Sequence, residues 1–214
     1  MLVGERMTKR PITTAPDTPI EEALKVMRES KVRRLPVVDK KGKLVGIVAE
    51  KDLLYVSPSP ATSLSIHELH YLISKIKVQD VMTKDVITAT EHTPLEEAAR
   101  VMADNKIGSL PVMRDDKLVG IITETDVFKI FLELLGAREK GIRLTMLVPE
   151  QKGVLATITR EIAEMGGNII SLGTFVGEDP TNRLITVKVS EMGEDELVLA
   201  MEALGMKMVD VREM

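Results

Sequence analysis

Thr123 and Asp126 stand three residues apart in Gly120-Ile121-Ile122-Thr123-Glu124-Thr125-Asp126, where an apolar strand pattern runs into a helical one. At such a helix start, free backbone N–H groups and the helix dipole favour an anion near Thr123. Asp126, one turn further in, offers a carboxylate able to accept hydrogen bonds from both hydroxyls of a ribose. The spacing recurs in Gly46-Ile47-Val48-Ala49-Glu50-Lys51-Asp52, but Ala49 lacks the hydroxyl, so a site at Asp52 is expected to bind more weakly or not at all. Cations suited to a phosphate gather in the first quarter: residues 1–56 hold 12 bases and 8 acids, residues 57–137 hold 8 and 12. Among them Lys31, Arg33 and Arg34 lead into a strand pattern whose later counterparts are Lys106, Gly108 and Ser109. Each reading has a plainer rival. Thr123 and Asp126 can equally be a helix cap, and Arg33 and Arg34 solvated charges at a strand edge.

Other chemistries find little support. His67 and His70 lie three apart with Glu68 between them, but no further ligand clusters nearby, and Leu69, Leu72, Ile73 and Ile76 around them read as packing, so no metal is expected. His92 stands in a turn before a helix without a partner. The sequence has no cysteine, no evident nucleophile, base and orienter set, and no glycine-rich phosphate loop. The expectation is a non-enzymatic protein without a cofactor.

The elements that must position these residues form an internal repeat. Residues 6–41 align with 81–116, and 43–55 with 117–129, with 23 of the 49 pairs identical. Each copy reads as strand, helix, strand, strand, helix. In the first, Ile12 to Thr14 suggests a short strand, and Thr18 with Glu21 a capping box ahead of a helix whose Ile20, Ala23, Leu24 and Met27 share one face. Leu35–Val38 and Leu44–Ala49 flank a polar turn as in a hairpin, and a second helix opens near Glu50. Met7, Met27, Met82 and Met102 recur as core fillers. A unit of about 55 residues buries its own faces poorly, so the copies are expected to pack together. A linker rich in Pro and Ser, Ser57 to Ser65, and a short helix separate them.

After Gly136 the pattern changes. Ile142, Leu144, Met146 and Val148 alternate as in a strand, and Gly153 precedes a helix with Leu155, Ile158, Ile162 and Met165 on one stripe, closed by Gly166 and Gly167. Strands over Asn168–Val176 and Arg183–Val189, a helix near Asp195–Leu204 and a last strand complete a βαββαβ order.

The TPIEEALKVM helix, the RLPVVD strand and the GIVAEKD and GIITETD endings resemble paired CBS domains, the Bateman module, over Met1 to Leu135. Gly153-Val154-Leu155 and Asn168-Ile169 make the tail similar to an ACT domain, although Glu150, Gln151 and Lys152 replace the acid and proline usual before the glycine. The combination resembles AcuB-type proteins of acetoin utilisation. The implied fold is α+β: a first CBS domain over 1–60, a linker and connecting helix over 61–77, a second CBS domain over 78–137, and a ferredoxin-like ACT domain over 138–214. The resemblance further implies an adenosine nucleotide as regulatory ligand, held by Thr123, Asp126, Arg33 and Arg34, with Ile12 and Val32 sandwiching the adenine and Asp52 marking the sister site. Gly153 and Asn168 would contact an ACT effector, or serve only as a helix-start glycine and a turn asparagine.

Composition bounds the partners. The chain has 44% apolar residues, 29 bases against 33 acids and a net charge of −4, which gives no bulk attraction to nucleic acid or membrane surface. Without cysteine, a signal core or an apolar run of about 18 residues, a cytoplasmic protein is expected. The reading is a nucleotide-responsive homodimer acting on a metabolic enzyme linked to acetoin. The alternatives are a ligand-free dimerisation module or a sensor of S-adenosylmethionine or NADH.

Overall fold

The computed structural model describes residues 1–56 and 75–214, arranged as two compact units, Met1–Val127 and Phe128–Met214. The Pro- and Ser-rich linker and the His67, Glu68 and His70 trio lie outside the described residues.

In the first unit, α1 (Val3–Arg6) and β1 (Thr8–Lys9) precede α2 (Ile20–Glu29), the hairpin β2 (Arg34–Val38) and β3 (Leu44–Ala49), and α3 (Glu50–Tyr55). The second copy holds α4 (Val78–Val81), β4 (Ala89–Thr90), α5 (Leu95–Asn105), β5 (Ser109–Arg114) and β6 (Lys117–Thr123), with β4 at the position of Thr14 and Ala15 rather than of β1, and α6 (Glu124–Leu134) begins directly on β6. The predicted apolar face of α2 is the buried one: Ile20, Ala23, Leu24 and Met27 pack with Leu35, Val37, Val48, Leu53 and Val78.

The copies exchange their leading segments. β1 pairs with β6 of the second copy, Thr8 opposite Ile121, while Thr83 of the second copy bridges Ile47 in β3 of the first. Val3 N–H donates to the Thr93 carbonyl and, in the mirror position, Val78 N–H donates to the Thr18 carbonyl, each at 2.9 Å. A side chain on Gly120 would meet Met7 Sδ at 2.3 Å, and one on Gly46 would meet Met82 Sδ at 2.5 Å. The repeated glycine and methionine are therefore two halves of one contact made twice.

Two local expectations fail. Ile12 to Thr14 forms no strand; Thr14 alone bridges Val37, its N–H donating to the Pro36 carbonyl and its carbonyl accepting from Val38 N–H. Thr18 does not cap α2: its hydroxyl accepts from Ala15 N–H, Pro19 takes the cap position, and no side chain bonds there. The turn before the proline captures the hydroxyl first.

The second unit runs β7 (Ile142–Pro149), α7 (Val154–Glu164), β8 (Asn168–Val176), β9 (Asn182–Ser190), α8 (Glu194–Ala203) and β10 (Lys207–Glu213), with strand order β10-β7-β9-β8, all antiparallel. Ile142, Leu144, Met146 and Val148 form the core with Ile158, Ile162, Ile185, Val187, Val189, Leu197 and Met201. Leu155, expected inside, is 41% exposed, because Val154 takes the place on that stripe one turn before Ile158. Gly166, with φ of +82°, ends α7 in the left-handed conformation that glycine adopts without steric cost.

Candidate functional site

Each hairpin delivers its second strand straight into a helix, so the same backbone turn occurs twice. In the second copy Asp126 Oδ2 accepts from Thr123 N–H at 3.0 Å and from the Thr123 hydroxyl at 2.7 Å. In the first, Asp52 Oδ2 accepts from Ala49 N–H at 3.0 Å, with no hydroxyl to join it. Both carboxylates cap their helices.

β2 places Arg34 opposite Ala49, at the mouth of the first turn. There Arg34 and Asp52 line one cavity of about 320 Å³ with Ala49, Lys51, Thr83, Ile87, Lys106, Ile107, Gly108, Ser109 and Glu124 among its walls. This lies within the size range of small-ligand sites. The guanidinium of half-buried Arg34 stands 3.7 Å from Glu124, the residue that follows Thr123. Three cations and two carboxylates thus face the cavity, with Ile87 and Ile107 supplying apolar wall.

Of the residues singled out from the sequence, Arg34 and Asp52 come together here. Thr123, Asp126, Arg33, Ile12 and Val32 do not line this cavity. Arg33 is exposed and its carbonyl accepts from Glu50 N–H at 2.9 Å. Ile12 is exposed and Val32 packs against the first core. Lys51, Lys106, Ile87, Ile107 and Glu124 escaped the sequence reading. The repeat itself carries the signal for two of them, since Ile12 and Val32 map onto Ile87 and Ile107 at the offset of the alignment.

In the second unit Gly153 and Arg183 border a separate cavity of about 300 Å³, where Arg183 pairs with Glu150. Asn168 sits opposite Ser190, seven residues along β9 from Arg183. At the usual rise of a strand that is about 24 Å. Asn168 therefore lies at the other end of the sheet from the cavity that Gly153 borders. Among the described residues there is no cluster of three or more potential metal ligands and no helix long and apolar enough to cross a membrane.

The CBS domain family model matches residues 3–59 and 78–133. Among solved structures, a protein from Vibrio cholerae assigned to acetoin utilization (AcuB) is 33% identical with a TM-score of 0.53, the match covering 64% of this chain and 95% of that one. CBSX2 of Arabidopsis thaliana, solved in complex with AMP, is 37% identical with a TM-score of 0.51, covering 61% and 96%. The CBS domain pair of protein MJ0100, in complex with 5′-methylthioadenosine and S-adenosyl-L-methionine, is 31% identical with a TM-score of 0.52, covering 65% and 98%. Inosine-5′-monophosphate dehydrogenase of Methanocaldococcus jannaschii is 37% identical over 141 residues, but the chain spans 25% of its length. With two matched copies filling more than half of the sequence, and their helix starts and facing walls forming the cavity, the chain belongs to the CBS domain family.

Proposed function

We propose that this protein is a regulatory sensor, not an enzyme, whose CBS pair binds an adenosine nucleotide of the AMP, ADP or ATP class between its copies. One observation carries the reading: a single cavity gathers Asp52 at a helix start, the Arg34 fork with Lys51 and Lys106, and apolar Ile87 and Ile107. These complement a ribose, a phosphate and a base respectively. Complexes of similar CBS pairs with AMP and with S-adenosylmethionine support it. The repeat supports a second site at Thr123 and Asp126 with Ile12 and Val32, where the hydroxyl that Ala49 lacks favours tighter binding and Arg33 and Arg34 would serve the phosphate. A signal arises if the nucleotide binds one arrangement of the copies more tightly than another.

Residues 1–60 and 78–137 are taken as the two CBS domains, 61–77 as their connection and 138–214 as an ACT domain of ferredoxin-like topology. The βαββαβ order supports that last assignment. Its role would be homodimerisation, and because Gly153 and Asn168 sit toward opposite ends of the sheet, an effector touching both would need a second copy. The AcuB likeness supports a target enzyme in acetoin metabolism, and the cysteine-free composition supports the cytoplasm.

Calorimetric titration with AMP, ADP, ATP, S-adenosylmethionine and NADH tests the reading. Heat with an adenosine phosphate, weakened by Asp52→Ala, is expected. Absence of heat with all five overturns it, and leaves a dimerisation module, seen in sedimentation as a ligand-indifferent dimer. The MJ0100 complex favours a second reading, in which S-adenosylmethionine gives the tightest binding.

A further inference from the structure

Arg34 does not meet the cavity alone. Its Nη2 lies 3.7 Å from Glu124 Oε2, across the bare backbone of Gly108: a side chain there would come within 1.9 Å of the guanidinium and 2.6 Å of the carboxylate. Gly108 stands where the first copy carries Arg33, so the second copy has no side chain at the point where Arg34 of the first copy crosses to Glu124 of the second.

We propose that Glu124 determines the ligand selectivity of this cavity: its carboxylate competes with a ligand phosphate for the Arg34 guanidinium. The inference rests on the nucleotide reading above and adds the residue that grades ligands by charge. A guanidinium fork accepts carboxylate and phosphate oxygens with the same planar geometry, so the two anions contend for one donor set. Lys51 and Lys106 also line the cavity and favour an anion, whereas Glu124 and Asp52 oppose a second negative charge. A phosphorylated adenosine must displace Glu124 or share Arg34 with it. An uncharged adenosine derivative escapes that competition. Glu124 is the first residue of α6, where the helix dipole keeps a displaced carboxylate favourably placed.

The test is calorimetry on the full chain with AMP and with 5′-methylthioadenosine, which lacks a phosphate, at one salt concentration. The readout is the affinity for AMP divided by that for 5′-methylthioadenosine. Glu124→Gln is expected to raise this ratio about threefold, the scale of a half-exposed ion pair. Arg34→Gln is expected to lower it, and adding Glu124→Gln to Arg34→Gln should then raise it by less than in the unaltered chain, because the competition for the guanidinium is gone and only direct charge repulsion remains. A ratio that stays level or falls in Glu124→Gln, or that rises equally without Arg34, overturns the selectivity role while leaving nucleotide binding in place. No heat from either compound with the unaltered chain removes the nucleotide reading and this inference with it.

Discussion

Met7 lies so closely over Gly120 that a β-carbon on the glycine would stand 2.3 Å from the thioether sulfur and 3.1 Å from the Thr8 carbonyl oxygen. The contact joins the leading segment of one copy to the hairpin of the other, and its twin joins Met82 to Gly46. The carbonyl belongs to paired backbone and cannot retreat as a side chain can. Gly120→Ala is therefore expected to destabilise the protein by about 1–3 kcal/mol through overpacking. Denaturant unfolding measures this. If Met7→Ala and Gly120→Ala combined cost as much as the sum of the single changes, the two residues do not share one contact.

At Gly108 the obstacle is the end of a flexible side chain, so the outcome differs. Gly108→Ala should fold with less than about 1 kcal/mol of change, because the Arg34 guanidinium can swing aside. Losing the guanidinium from its place should weaken AMP binding about tenfold, the lower end for a hydrogen bond to a charged group. Unchanged affinity in a folded variant would mean that Arg34 makes no phosphate contact.

Lys188 is 2% exposed, and its ammonium donates to the carbonyl oxygens of Gly136 at 3.0 Å and Glu139 at 2.5 Å. These carbonyls belong to the segment between α6 and β7, so the lysine ties that segment to β9. Lys188→Met keeps the stem and removes the donors, leaving the two carbonyls without their charged partner. The expected loss is about 2 kcal/mol, the scale of hydrogen bonds to a charged group. Thermal unfolding decides it, and a stabilised variant would show that desolvating the ammonium costs more than its bonds return.

Glu91 receives a two-point grip from Arg114, Nε to Oε2 at 2.5 Å and Nη2 to Oε1 at 2.7 Å. That hydrogen bonding lowers the carboxyl below its ordinary 4.5, against the opposing effect of desolvation. A lowered folded value stabilises the fold above the unfolded value of 4.5, and the stabilisation fades as pH falls through the folded one. The Tm gap between wild type and Glu91→Gln should thus be largest near pH 7 and close on acidification below pH 4.5. A gap that is constant with pH would assign the effect to packing.

How much of this was legible beforehand depends on the range of the interaction. The apolar face of α2 and the two hairpins follow from periodicity within about ten residues, and the structure keeps them. The Thr18 capping box was local too, yet a competing turn only three residues earlier took its hydroxyl. The acids at 52 and 126 were found by spacing, whereas the walls at Ile87 and Ile107 required the repeat to be applied in both directions.

The linear chain by itself determined that there are two copies of one unit, which faces of their helices are apolar, and where a helix start carries an acid, because these depend on neighbours along the backbone. Only the tertiary structure decided that each leading segment pairs with the other copy, that Gly108 is small to admit Arg34, and that Arg34 meets Asp52 and Glu124 in one cavity. Those outcomes turn on packing between residues 18 to 113 positions apart, which local residue type does not encode.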